Sequence, residues 1–198
     1  MSKINIPTRL TILRIVLIPI FVALYLIQFP YNGLAAVAVF MIASFTDFLD
    51  GHLARKWNQV TSLGKFLDPI ADKMLVMCAL VCVLIGASKG TTFTILTAIF
   101  LMIIESRELM VSCFRIIAAS KGLTLAADKW GKAKTVCQMI ALIILLPYSS
   151  LFRAVGGADW LSVWYYVGFA LLAVSTVLTI ISGANYIAKN KKVLHDND

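Results

Sequence analysis

Long apolar segments alternate along this chain with short polar or glycine-containing stretches. Six such segments lie at approximately 12–29, 34–49, 70–88, 92–118, 132–153 and 160–188. Each approaches the roughly 20 residues that an α-helix needs to cross the hydrocarbon core of a bilayer. None of them shows the regular alternation and turn spacing of membrane β-strands. The pattern therefore predicts an all-α, polytopic membrane protein with six transmembrane helices.

The composition supports a membrane location. The 198 residues are 60% hydrophobic and 14% charged, with a mean hydropathy of +0.88, whereas a soluble domain is about 45–50% apolar and about 25% charged. Lys3 and Arg9 precede the first apolar segment, as in a signal peptide, but Arg14 interrupts that segment and no small-residue cleavage site follows. We expect a retained first helix and a single integral-membrane domain over residues 1–198.

The basic residues predict the orientation of the chain. In a six-span topology with both termini on one side, every Lys and Arg except Lys89 and Arg153 falls on that side. Cytoplasmic loops are enriched in Lys and Arg, so both termini are predicted to be cytosolic, with a polar cavity open to the cytosol. The net charge of +8 follows from this topology and from attraction to anionic lipid headgroups. It gives no indication of nucleic-acid binding.

Four aspartates occur in two short stretches of this apolar chain. Asp47 and Asp50 are three residues apart, and Asp68 and Asp72 are four apart, so each pair shares a helix face. Carboxylates in a bilayer cost about 2.5–3.5 kcal/mol on insertion scales and are functional candidates by default. Oxygen ligands without His or Cys favour magnesium, manganese or calcium. Four carboxylates could hold two such cations, an arrangement suited to displacement at phosphorus.

Glycine and proline predict how these two pairs are connected. Gly51 and Gly64 are expected to bracket a loop whose backbone can approach a ligand closely. Pro69 suits the first turn of a helix that begins near Asp68. In the alternative interpretation, the aspartates cap helices or form ion pairs with nearby basic residues. Those residues are Arg55, Lys65 and Lys73.

Residues 47–72 read D-x2-D-G-x2-A-R-x8-G-x3-D-x3-D, which resembles the signature of the CDP-alcohol phosphatidyltransferase family at all eight positions. The resemblance implies a six-helix, usually dimeric membrane enzyme in which an acceptor hydroxyl displaces CMP from a CDP-linked lipid. It implies that the four aspartates surround two divalent cations, magnesium in the first place and manganese as the alternative. Asp72 would also be the general base toward the acceptor hydroxyl. The implied CDP-lipid contacts are Asn5, Thr8, Gly51, Ala54, Arg55 and Gly64.

Further stretches narrow the resemblance to bacterial phosphatidylglycerophosphate synthases. They are Asn5–Thr11 with Arg14 and Pro19, then Arg107-Glu108 with Arg115, and Gly131-Lys132-x-Lys134-Thr135-x2-Gln138. Thr8 departs from the pattern, because many relatives have Asn there. This subgroup implies CDP-diacylglycerol and glycerol 3-phosphate as substrates, in the bacterial inner (cytoplasmic) membrane.

An acceptor that carries a phosphate dianion needs cationic ligands beside four aspartates, because Arg forks and Lys point charges are the usual phosphate contacts. The candidates for that role are Arg107, Arg115, Lys132 and Lys134. Topology alone also predicts basic residues at cytosolic helix ends, so the same residues have a second explanation.

Two alternatives stay open at this point. Within the family, the acceptor could instead be phosphatidylglycerol, as in a cardiolipin synthase, or an inositol phosphate. In a different class, the aspartate cluster could serve a cation transporter. Transport favours carboxylates near the bilayer midplane, whereas all four aspartates lie toward the cytosolic ends of apolar segments.

Overall fold

A computed structural model describes the backbone of residues 6–57, 62–86, 90–120, 129–156 and 159–190, and side chains within residues 8–47, 67–86, 90–118, 130–156 and 159–190. These residues form helices and a few short turns, with no strand in the described backbone, which confirms the all-α prediction. The helices are α1 (Ile6–Leu26), α2 (Asn32–Trp57), α3 (Ser62–Gly86), α4 (Thr91–Ser120), α5 (Lys129–Leu145), α6 (Tyr148–Val155) and α7 (Asp159–Lys189).

Four helical stretches of the described chain are long and apolar enough to cross a membrane. They are Thr8–Leu26, Leu67–Gly86, Trp130–Val155 and Asp159–Lys189. Helix α2 has a shorter apolar part, Asn32–Asp47, and α4 carries charged residues in its second half. The chain is therefore a multi-pass membrane protein. Six spans remain a prediction, because charged residues shorten the apolar parts of α2 and α4.

The apolar segment predicted at 132–153 is not one continuous helix. It is divided into α5 and α6 at Leu146 and Pro147. Proline has no backbone N–H and its ring clashes with the carbonyl one turn earlier, so it can kink or break a helix. The chain resumes a helical path at once, since Leu151 N donates to Pro147 O at 3.0 Å. The predicted segment is therefore helical over most of its range, with an interruption at residues 146–147.

The connection between the aspartate pairs also differs from the prediction. Gly51 lies inside α2 and Gly64 inside α3, so the loop expected to run from one to the other is largely helical. Good helix formers next to Gly51, such as Leu53 and Ala54, offset its cost of about 1 kcal/mol. Pro69 lies inside α3 rather than in its first turn. All four aspartates nevertheless fall on helices, with one pair on α2 and the other on α3.

The packing places apolar side chains outward and several polar ones inward. Helix α1 packs against α2 and α3, and α5 packs against α7. Large apolar side chains such as Ile116, Val163 and Leu109 are more than 60% exposed, which suits contact with lipid. In contrast, Arg14 and Gln138 are buried. The interior therefore contains the polar groups from which a site can be built.

Candidate active site

A cavity of about 140 Å³ lies between α2, α3, α4 and α5, and two of the four predicted aspartates line it together. We call it the aspartate cavity. Asp47 reaches it from α2 and Asp72 from α3. The other residues that line it are Ser44, Lys73, Leu75, Val76, Glu105, Glu108, Lys134, Thr135, Gln138 and Met139. The cavity thus brings carboxylates from three helices close to an apolar wall.

Arg14 of α1 holds Asp47 in place. Its Nη1 lies 2.8 Å from Asp47 Oδ1, and the Arg14 side chain is 0% exposed whereas that of Asp47 is 43% exposed. A buried guanidinium paired with a carboxylate fixes the direction of that carboxylate. The sequence identified Arg14 as an interruption of the first apolar segment and as part of the family resemblance, but it did not predict this contact. The signal that could have found it is an ionisable residue inside an apolar span.

Helix α1 also contacts the second aspartate pair. The Thr11 hydroxyl donates a hydrogen bond to Asp68 Oδ1. Thr11 and Arg14 are three residues apart and therefore share a face of α1. Asp68 is not among the residues that line the aspartate cavity. One face of α1 thus orients a carboxylate on each of the two helices, α2 and α3.

The predicted metal site is described only in part. The side chain of Asp50 lies outside the described residues, and no group of three or more His, Cys, Asp or Glu side chains converges among those that are described. The four-aspartate ligand set therefore stays a prediction. The donors present do fit the predicted cation, because magnesium usually takes one or two carboxylates together with substrate phosphates and water. Asp47 and Asp72 supply two such carboxylates to one cavity.

The alternative interpretation, in which basic neighbours pair with the aspartates, can be examined at Lys73. Its ammonium group donates to Ser112 Oγ of α4. Ser112 in turn donates to the backbone carbonyl of Glu108 at 2.6 Å. Lys73 therefore connects α3 to α4 at the edge of the cavity. Arg55 and Lys65 lie outside the described side chains.

A second cavity, of about 400 Å³, lies between α4, α5 and α7. We call it the cationic cavity, because three of the four predicted phosphate ligands, Arg107, Arg115 and Lys132, line it. Lys134 lines the aspartate cavity instead. The remaining wall of the cationic cavity is formed by Glu108, Gly131, Thr135, Val136, Ser182 and Tyr186. Glu108 and Thr135 line both cavities, so the two are neighbours.

Glu108 is the centre of the wall between the cavities. Its Oε1 accepts hydrogen bonds from Arg107 Nη1 at 2.9 Å and from Lys134 Nζ at 2.6 Å. Arg107 Nη2 also donates to Ser182 Oγ of α7 at 2.7 Å. An added Cβ at Gly183 would come within 3.1 Å of Arg107 Cγ, so a glycine there leaves room for the arginine. The Glu108 carboxylate thus orients Arg107 beside the cationic cavity and Lys134 beside the aspartate cavity.

Arg115 is held by an aromatic residue. Its Nε donates to Tyr186 Oη at 3.3 Å, and its guanidinium carbon lies 5.6 Å from the centre of the Tyr186 ring. A guanidinium over an aromatic face gains a cation–π attraction. Tyr186 is 3% exposed and packs edge-on against Phe114. The sequence reasoning named Arg115 but had no basis for pairing it with a residue on α7.

The predicted CDP-lipid contacts fall mostly outside the described side chains. This applies to Asn5, Gly51, Ala54, Arg55 and Gly64. Thr8 is described, and it is buried at the start of α1, one turn before Thr11.

Comparisons with known proteins agree with the sequence resemblance. Residues 4–181 match the family described as CDP-alcohol phosphatidyltransferase. Three bacterial relatives carry the name CDP-diacylglycerol–glycerol-3-phosphate 3-phosphatidyltransferase. The relative from Pseudomonas fluorescens is 38% identical over 92% of this chain and 88% of its own length. The relative from Bacillus subtilis is 38% identical over 96% of this chain and 97% of its own length. The relative from Haemophilus influenzae is 39% identical over 98% of this chain and 98% of its own length.

Proposed function

The chain belongs to the CDP-alcohol phosphatidyltransferase family, and from that premise we propose that it transfers the phosphatidyl group of CDP-diacylglycerol to sn-glycerol 3-phosphate. The products are phosphatidylglycerophosphate and CMP. One observation carries the choice of acceptor: the cationic cavity adjoins the aspartate cavity, with Glu108 and Thr135 in both walls. A phosphate dianion suits the cationic cavity, and a hydroxyl of the same small molecule then reaches the aspartates.

The acceptor phosphate binds to Arg107, Arg115 and Lys132. Guanidinium forks match two phosphate oxygens at once, and an ammonium adds a point charge. Arg107 is already oriented by Glu108 and Ser182, so little conformational entropy is lost when phosphate arrives. Lys134 adds its charge from the other side of Glu108.

The donor binds at the aspartates. Asp47, Asp50, Asp68 and Asp72 hold two divalent cations, with magnesium preferred over manganese. The CDP-lipid contacts are Asn5, Thr8, Gly51, Ala54, Arg55 and Gly64. When bound, the cations neutralise these carboxylates and polarise the pyrophosphate of the donor. Arg14 and Thr11 support this arrangement by fixing Asp47 and Asp68.

Asp72 is the general base of the transfer. It takes the proton of the acceptor's terminal C1 hydroxyl as that oxygen forms a bond to the phosphatidyl phosphorus. The bond between this phosphorus and the bridging oxygen of CMP breaks, and its electron pair leaves with CMP. Leu75 and Val76 form an apolar part of the wall of the same cavity, which disfavours water as a competing nucleophile.

The site faces the cytosol in this proposal, with six spans, both termini inside and the protein in the bacterial cytoplasmic membrane. The grouping of basic residues supports it, because Arg107, Arg115 and Lys132 gather at one cavity. Arg153 lies apart from them, where its Nη2 donates to Asn32 Oδ1 at 3.0 Å. Glycerol 3-phosphate and CMP are soluble in that compartment. We further propose one catalytic domain over residues 1–198 and a homodimer, both supported by the family resemblance.

The experiment is an acceptor assay on the purified, detergent-solubilised protein. CDP-diacylglycerol and magnesium are supplied with glycerol 3-phosphate, phosphatidylglycerol or inositol phosphate in turn, and CMP release is measured. We expect release with glycerol 3-phosphate and little with the other two. Release with another acceptor, and none with glycerol 3-phosphate, would overturn the assignment.

A liposome experiment tests the transport alternative with the same preparation. The wild-type protein and Asp72→Asn are reconstituted, and divalent-cation flux is followed beside CMP release. We expect no flux from either protein and CMP release from the wild type alone. Flux that Asp72→Asn abolishes would favour a transporter.

A further inference from the structure

Gln138 presents a buried polar group that nothing in the described part of the protein satisfies. Its side chain is 2% exposed, and its Nε2 has no hydrogen-bond acceptor among the described residues. The same side chain lines the aspartate cavity. Buried polar groups in native proteins almost always have partners, so an unpaired amide on a residue that lines a cavity indicates a ligand group that completes it.

The position of Gln138 on α5 relates it to the acceptor rather than to the donor. Thr135, one turn before it, lines both cavities, and Lys134, also one turn before it, bonds to Glu108 in the wall between them. Thr135 uses its own hydroxyl to donate to Gly131 O at 3.0 Å, within the helix. Gln138 is therefore the neutral hydrogen-bonding residue of this face whose amide is left for a ligand.

The charges of the cavity restrict the chemistry of that ligand group. Four carboxylates line the aspartate cavity, those of Asp47, Asp72, Glu105 and Glu108, against the two ammonium groups of Lys73 and Lys134. A second phosphate is disfavoured there unless cations accompany it. A hydroxyl suits the position, because it can both donate to and accept from an amide.

We propose that Gln138 positions the acceptor by a hydrogen bond to the C2 hydroxyl of glycerol 3-phosphate. This inference rests on the proposed function, in which the C3 phosphate lies in the cationic cavity and the C1 hydroxyl meets Asp72. The C2 hydroxyl then lies between them, along the α5 wall. Gln138 acts as a specificity-determining residue: it selects acceptors with a hydroxyl next to the carbon that bears the attacking hydroxyl.

The test pairs a change in the protein with a change in the substrate. Glycerol 3-phosphate is compared with 3-hydroxypropyl phosphate, which lacks only the C2 hydroxyl, at saturating CDP-diacylglycerol and magnesium. The quantity measured is kcat/KM for CMP release in the wild type, in Gln138→Met and in Gln138→Leu. We expect the wild type to prefer glycerol 3-phosphate by roughly tenfold or more, since an unpaired buried group costs that much. In both variants the preference should fall to near unity.

Met139→Leu is the matched control. It changes the neighbouring residue of the same cavity wall without removing a hydrogen-bonding group, and it should keep the wild-type preference. A loss of packing would lower the rates of both substrates together, whereas loss of the specific bond lowers the rate with glycerol 3-phosphate alone.

Three results would overturn the inference. The first is a wild-type protein that uses both acceptors equally, which needs no variant to observe. The second is a folded Gln138 variant that keeps the full preference. The third is an effect of the variants on KM for CDP-diacylglycerol with the acceptor preference unchanged, which would assign the amide to the donor. Failure of the proposed function is distinct, because the wild type would then release no CMP with glycerol 3-phosphate.

Discussion

Lys134 Nζ lies 2.6 Å from Glu108 Oε1, and the two side chains are 6% and 25% exposed. The pair joins α5 to α4 across the wall that the aspartate and cationic cavities share. The same oxygen also accepts from Arg107. Glu108 therefore balances two cations that would otherwise repel each other inside the protein.

Glu108→Gln should destabilise the protein, because it leaves a buried ammonium group without its counter-charge. Removing one partner of such a pair costs about 1–3 kcal/mol or more. We expect a lower apparent unfolding temperature in detergent, measured by intrinsic fluorescence. The double variant Glu108→Gln, Lys134→Met should recover part of that loss, because it removes both charges. Equal or greater loss in the double variant would contradict a direct pairing.

The sequence predicted the helices, the aspartate pairs and the basic residues, but it did not predict the wall between the two cavities. Helical periodicity is local, so it places Asp68 and Asp72 on one face without any knowledge of the fold. The bond between Glu108 and Lys134 joins residues 26 positions apart. Its formation depends on how α4 and α5 pack, which no local pattern encodes. The bond that Glu108 accepts from Arg107, by contrast, joins neighbours in the sequence.

Two features of the predicted fold are wrong, and both have local causes. The apolar segment predicted at 132–153 contains Pro147, and proline can kink or break a helix interior. Glycine is common in turns, which is why Gly51 and Gly64 are predicted to bracket a loop. Helix formers on either side outweigh that preference here. Composition reveals the membrane helices but not where each one is interrupted.

Chelation should abolish CMP release reversibly. EDTA removes the divalent cations, and added magnesium should restore activity, with manganese as a partial substitute.

Asp72→Asn should lose about 10²–10⁴-fold in kcat, the usual contribution of a general base, at every magnesium concentration. A variant that regains wild-type activity at high magnesium would show that Asp72 serves only as a ligand.

Thr11→Val tests the support that α1 gives to Asp68. Valine has the shape of threonine without the hydroxyl, so Asp68 loses the donor that fixes its direction. We expect the magnesium concentration for half-maximal activity to rise several-fold, with little change in unfolding temperature. Thr97→Val is the control, since Thr97 donates to Phe93 O within α4, at 2.8 Å. An equal rise in the half-maximal magnesium concentration for both variants would contradict a specific role of Thr11.

Gly168 makes the close contact between α7 and α5. An added Cβ would lie 2.7 Å from Ile144 Cγ2 and 2.9 Å from Leu145 Cδ2. Gly168→Ala should therefore lower the apparent unfolding temperature, because overpacking costs about 1–3 kcal/mol. Gly131→Ala is the matched control, because its added Cβ would be 3.6 Å from Ser182 Oγ, an ordinary contact. Gly131→Ala should leave the unfolding temperature unchanged or raise it, since alanine is more favourable than glycine in a helix by about 1 kcal/mol. The opposite order of stabilities would contradict the packing of these helices.

Arg115→Lys should weaken binding of the acceptor without changing the chemical step. Lysine keeps the charge but loses the planar fork and most of the stacking on Tyr186. The phosphate is bound equally in the ground state and the transition state, so KM for glycerol 3-phosphate should rise by roughly tenfold while kcat stays nearly constant.

Tyr186→Phe removes the hydroxyl that accepts from Arg115 Nε but keeps the ring, and we expect a smaller rise in KM for glycerol 3-phosphate. Arg153→Lys, which changes an arginine outside the cationic cavity, should leave KM unaltered. A fall in kcat at unchanged KM for Arg115→Lys would move this residue from acceptor binding to the reaction itself.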